Sequence, residues 1–188
     1  MNKSSDLEAV SAEALRKLGR NILNFSKLEA GFKLLLSVSC IEGTTTTIRD
    51  NIKAKQSKLH KQSLGGLITE FTTSVCCDVE KAEPPKHLTE SWLSLSFNIA
   101  PTHSDEWQQA LRTLVEERNS LIHHDLADID VTSIEDYRNL IALLDEQNPR
   151  LIAQLDNLGW MLSSLSESVQ DMRRSPELRQ LIAPSKES

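Results

Sequence analysis

Cysteine is scarce in this chain. There are three, Cys40, Cys76 and Cys77. The count is odd, no C-x-x-C pair exists, and adjacent cysteines do not readily bridge each other. These features argue against a disulfide framework and against a cysteine-rich zinc site, and favour a reducing compartment. Cys40 and Cys76 read instead as small core residues. Glycine and proline are equally sparse, at six each, so long uninterrupted stretches remain, and these favour helix. No apolar run approaches the roughly 20 residues of a membrane span. The polar start, Met1 to Asp6, lacks the apolar centre of a signal peptide. The expectation is a cytoplasmic protein with no membrane partner. Positive charge is also in short supply: Lys and Arg total 21 against 27 acids, for a net charge of -6. Phosphate affinity comes mostly from Lys and Arg. An acidic chain therefore binds nucleic acid only where its positive charge is locally concentrated.

What is present is globular. The 188 residues are 39% hydrophobic and 26% charged, enough for one domain with a real core. The expected organisation is one helical domain over residues 1–175 and a polar tail over 176–188.

Helical periodicity dominates. From Ser5 to Cys40, Leu7, Val10, Ala14 and Leu18 recur at helical spacing, and Ile22, Phe25, Leu28, Phe32 and Leu35 continue the stripe. Ser5 and Glu8 have capping-box spacing. Gly19 either divides this tract or weakens one helix. Gly43 and the β-branched run Thr44 to Thr47 stop it. The tract Thr47 to Lys61 holds Arg49, Lys53, Lys55, Lys58 and Lys61 against one acid, Asp50. It reads either as an RNA-phosphate track or as a solvated helix face or loop.

Ser63 is placed to cap a helix whose stripe is Leu64, Leu67, Ile68, Phe71 and Val75. Glu83-Pro84-Pro85 marks a loop. Leu88 to Phe97 is compatible with a short helix or an extended piece. The next helix spans about Asp105 to Asp125, with Trp107, Ala110, Leu111, Leu114, Val115, and then Leu121 and Ile122 on its apolar side. After a loop to Thr132, Ser133 caps a long tract to about Met172, which Pro149 is expected to kink or split. No convincing strand pair emerges, so the predicted fold is an all-α bundle of about four to six helices.

One segment carries chemistry. Arg118-Asn119 is followed by three residues and then His123, late in an amphipathic helix. Over Leu111 to His124 the chain resembles the HEPN family, whose hallmark is R-N-x-x-x-H. That resemblance implies a helical bundle that dimerises, and a metal-independent endoribonuclease of the toxin or phage-defence type. It implies no cofactor. Expected partners are an RNA substrate, a second copy of the chain, and a protein regulator or antitoxin. In the toxin–antitoxin branch a Tyr follows the motif His by two residues. This chain has Asp125 there, so that mode of control is not carried over.

The implied chemistry is attack by an RNA 2′-hydroxyl on the neighbouring phosphate. His123 acts as general base or acid, because imidazole titrates near neutral pH. Arg118 binds the phosphate and stabilises transition-state charge through its planar fork. Asn119 orients His123 or donates to the phosphate. His124 is the alternative base. On a regular helix Asn119 and His123 share a face, whereas Arg118 and His123 diverge by roughly 140°. Either Arg118 is long enough to curl round, or a symmetry mate supplies part of the site; the resemblance implies the second, two motif helices pooling residues across a two-fold axis. The bland account is that Arg118 pairs with Glu117 or Asp125. Other readings of the chain are a non-catalytic HEPN module binding RNA, nucleotide or protein, and an assembly protein acting through Ser133 to Met172.

Overall fold

Gly19 does not interrupt the first helix, because the apolar stripe on either side of it packs continuously. The computed structural model describes residues 3–75, 91–97 and 104–175. In chain order the elements are α1 (Lys3–Ser39), β1 (Cys40–Thr44), α2 (Ile48–His60), α3 (Leu64–Ser74), β2 (Trp92–Ser96), α4 (Ser104–Ser120), a π-helical turn (Leu121–Asp125) and α5 (Ile134–Arg174). The predicted all-α bundle is what is found, with five α-helices among the described residues. The expected loop at Glu83-Pro84-Pro85, Cys76 and Cys77, and the 176–188 tail lie outside the described residues.

The two long helices form the spine. Lys17 bonds Asp145, Asn21 bonds Gln147, and Asn24 bonds Asn148. Numbers rise together on both helices, so α1 and α5 run parallel. The buried positions repeat at alternating steps of four and three, and the two sets keep a constant offset. Asn21 corresponds to Gln147, Phe25 to Leu151, Leu28 to Gln154, Phe32 to Leu158 and Leu35 to Met161. This is the heptad rule of paired helices, in which a polar layer such as Asn21–Gln147 pins the register. Gly31 lets the pair close: a Cβ there would lie 2.2 Å from a Leu158 methyl.

Pro149 does not split α5, which is helical across it. Proline removes one backbone donor and crowds the preceding turn. Polar side chains of α1 gather on that turn. Asn21 donates to the Leu144 carbonyl at 2.9 Å, and Arg20 donates to it at 3.2 Å. Lys17 and Arg20 both pair with Asp145, and these cations hold its carboxyl below the usual range, chiefly through the hydrogen bond from Lys17. Asn21→Ala should cost about 1–3 kcal/mol, because it leaves the buried Gln147 side-chain oxygen without its donor. A urea titration checks this; a change within a few tenths of a kcal/mol, roughly the scatter of surface substitutions, would show that the polar layer contributes nothing.

Shorter elements cover one side of the spine. Ser63 caps α3 as its sequence indicates, accepting from the Gly66 N–H at 3.4 Å. Ser133 caps α5, accepting from the Asp136 N–H at 3.2 Å. Ser5 caps nothing, since α1 already begins at Lys3. A ring chain ties the layers: Phe32 to Phe71 and Phe71 to Trp107 each have centroids 5.2 Å apart. The Trp107 indole then donates to Gln154 of α5. A second apolar cluster, Ala14, Leu121, Leu140 and Leu144, anchors the π-turn between the early parts of α1 and α5.

The sequence offers no strand pair, yet β1 and β2 form a two-stranded antiparallel ribbon, with Cys40 opposite Ser96 and Thr44 opposite Trp92. The partners are far apart in the chain, so no local pattern announces the pairing. Cys40 is half-exposed on this ribbon rather than a core residue. Among the described residues, no helix is long and apolar enough to cross a membrane.

Candidate functional site

The motif lies where α4 stops being an α-helix. Arg118, Asn119 and Ser120 close α4, and Leu121–Asp125 form a π-turn. The Leu126 N–H reaches back five residues to the Leu121 carbonyl at 3.1 Å, and the Ser120 hydroxyl donates to Asp125 at 3.4 Å. Widening is possible because Leu121 is wholly buried and pinned by the second apolar cluster. Residues of the turn on its other side need not keep α-spacing.

That irregularity changes the geometry expected from the sequence. In an α-turn residues four apart stack; in a π-turn the bonded partners are five apart. Arg118 and His123 are separated by five. Arg118 lies in α4 before the π-turn and His123 lies within it, so the regular-helix angle between them does not apply. His123 and His124 are exposed, Asn119 is exposed and Arg118 is half-buried. No contact joins Arg118 to His123 within the chain among the described residues. Arg118 does donate to the Asn119 side-chain oxygen at 3.4 Å, so two motif residues are in direct contact.

Arg118 does not pair with Glu117 or Asp125. Glu117 is taken by Arg150 of α5 at 2.8 Å and accepts from Gln147 at 3.5 Å. Arg150 also pairs with Glu146 at 3.0 Å. Asp125 accepts from Ser120. Glu117 and Asp125 are thus held elsewhere, and among the described residues the Arg118 guanidinium has no carboxylate partner. A cation in the last turn of α4 also suits the helix dipole, so its placement costs the fold nothing. The buried layer that pins the spine continues through Gln147 into Glu117. Sequence reading did not find this link, since Arg150 and Gln147 lie about thirty positions downstream on another helix.

The basic tract is α2, and its five cations separate. Arg49 and Lys53 lie one turn apart on the exposed side, and Lys61 is exposed at the helix end. Lys55 is half-buried, and its ammonium donates to the Cys40 carbonyl at 2.9 Å. Burial pushes its pKa down. Lys58 pairs with Glu70 at 3.6 Å. Lys55, Lys58 and Glu70 line one groove of about 430 Å³ with β1. Only Arg49, Lys53 and Lys61 remain available for a solvent-borne phosphate, and none of them contacts the motif among the described residues.

Beside the π-turn lies a smaller pocket of about 230 Å³ lined by Asp125, Asp128, Asp136, Asn139 and apolar neighbours. Its three carboxylates disfavour a phosphate there. Among the described residues, no three His, Cys, Asp or Glu side chains group closely enough to hold a metal ion.

Set against protein-family models, curated proteins and solved structures, the chain has no match.

Proposed function

We propose that this protein is an endoribonuclease of the HEPN type, acting through Arg118, Asn119 and His123 at a surface shared by two copies of the chain. The observation that carries the reading is a guanidinium with no carboxylate partner among the described residues. Arg118 is half-buried and bonds Asn119, Glu117 and Asp125 are engaged by Arg150, Gln147 and Ser120, and exposed imidazoles follow it on a widened turn. A guanidinium so placed has donors left for the bidentate bonds that arginine makes to phosphate.

In the reaction, His123 removes the proton of a ribose 2′-hydroxyl. The 2′-oxygen bonds to the adjacent phosphorus and the bond from phosphorus to the 5′-oxygen breaks. The leaving 5′-oxygen takes a proton from solvent, and the protonated His123 gives its own back to solvent. Arg118 stabilises the charge on the non-bridging oxygens, and its contact with Asn119 orients the fork. The products are a 2′,3′-cyclic phosphate and a 5′-hydroxyl. The exposure of His123 supports the shared arrangement: an enclosed site needs a second surface over it.

The experiment is incubation of purified protein with mixed RNA and with DNA of the same sequences, in chelator. Cleavage of RNA to cyclic-phosphate ends, with DNA intact, is expected. RNA ends of another kind, or equal cutting of DNA, would remove the 2′-hydroxyl mechanism. Binding of RNA without any cleavage would leave a non-catalytic RNA-binding module.

A further inference from the structure

We infer that the groove between α3 and α4 is a subsite for a nucleotide flanking the cleaved bond, with Arg112 as its phosphate contact; this rests on the ribonuclease reading of the neighbouring motif. The groove has a volume of about 480 Å³ and is lined by Gly65, Ile68, Thr69, Arg112, Val115 and Glu116, among others. That size lies within the range of small-ligand pockets.

Position links it to the motif. Arg112, Glu116 and Asn119 follow one another on α4 at steps of four and three. Those are the spacings that keep residues on one helix face, so the groove wall continues along α4 to Asn119 of the motif. Among the described residues Arg112 makes no ion pair, and it is exposed.

The lining chemistry selects the ligand. The Thr69 hydroxyl donates to the Gly65 carbonyl at 3.0 Å, and the Thr73 hydroxyl donates to the Thr69 carbonyl at 2.9 Å. Each hydroxyl carries one proton, so what remains for a ligand is lone pairs. Glu116 also presents acceptors only. The groove thus offers acceptors along its wall and a single cationic fork. A base with amino and ring N–H donors, joined to one phosphate, meets both demands. An anion-rich ligand would meet the acceptors unfavourably. Val115 and Ile68 provide apolar surface for the base. At Gly65 a Cβ would come within 3.3 Å of a Val115 methyl, so α3 and α4 approach closely at the groove floor.

The test uses the full chain, a labelled short single-stranded RNA of randomised sequence, and Arg112→Gln. We expect binding weakened about tenfold at low salt. The slope of log affinity against log salt should become shallower by about 0.7, the loss of one single-strand phosphate contact. A merely structural role would not move that slope, and the melting temperature should match the parent because Arg112 is exposed. Thr69→Val, which removes the acceptor without changing shape, should shift base preference at one position of the cut site and leave the salt slope alone. If the parent cuts RNA and Arg112→Gln binds it with the same affinity and slope, the subsite is wrong and the ribonuclease stands. If RNA binding depends on Arg112 but nothing is cut, the subsite stands and the catalytic reading falls. If the parent neither binds nor cuts RNA, both fall.

Discussion

Replacing His123 with alanine is expected to lower RNA cleavage by about a hundred- to ten-thousandfold, the usual contribution of a positioned acid or base. Arg118→Ala should lower it about a hundred- to a thousandfold, as for loss of one donor to transition-state charge. The fold should survive both changes. His123 is exposed and makes no side-chain bond among the described residues, and Arg118 bonds only Asn119. His124→Ala distinguishes the two candidate bases: it should retain most activity if His123 is the base. Mixing the inactive His123→Ala and Arg118→Ala proteins provides the sharper result. In a shared site, a mixed dimer rebuilds one complete pairing, so activity should return on mixing. Equal cutting by the parent and both variants would identify a contaminating nuclease. Variants that are dead singly and stay dead together, while exchanging subunits, would place the site within one chain.

The largest stability effect is expected at Phe71. It is wholly buried at the centre of the core and packs against Phe32 and Trp107, at 60° and 87° to their rings. Phe71→Ala should cost about 3–5 kcal/mol, combining lost transfer energy with the cavity left behind. Few neighbours can refill that space, since Phe32 belongs to the α1–α5 spine and the Trp107 indole is held by Gln154. Against a total stability of about 5–15 kcal/mol, such a loss leaves a marginal fold. Phe71→Leu keeps more of the volume and should cost less than half as much. Denaturant midpoints at constant slope would check both. A Phe71→Ala loss below about 1 kcal/mol, the level of an ordinary substitution, would mean that α3 is not seated on the spine as described.

Much of the fold was legible because it is written in short-range periodicity. The α3 stripe and its Ser63 cap, the α4 stripe from Trp107 to Val115, and the Ser133 cap of α5 all appear where their spacing and capping residues place them. These signals act within a turn or two, so they are visible in the chain alone. Gly19 and Pro149 were legible as weak points but not in their outcome. Each costs helix stability locally, and whether a break follows depends on what packs against it. Here the α1–α5 spine passes through both.

Residue pattern alone was enough to read a mainly helical chain with an Arg118-Asn119 and His123 signature near the end of one amphipathic helix. Tertiary structure alone decided which charges near that signature are free. Arg150 and Gln147 reach Glu117 from a parallel helix, Ser120 holds Asp125, and Lys55 and Lys58 are drawn into a groove with β1 and Glu70. It also decided the β1–β2 ribbon and the π-turn, which needs Leu121 pinned by Ala14, Leu140 and Leu144. The reason is range: helix spacing is a property of neighbours along the chain, whereas pairing of charges and strands is settled by residues that meet only after the chain has folded.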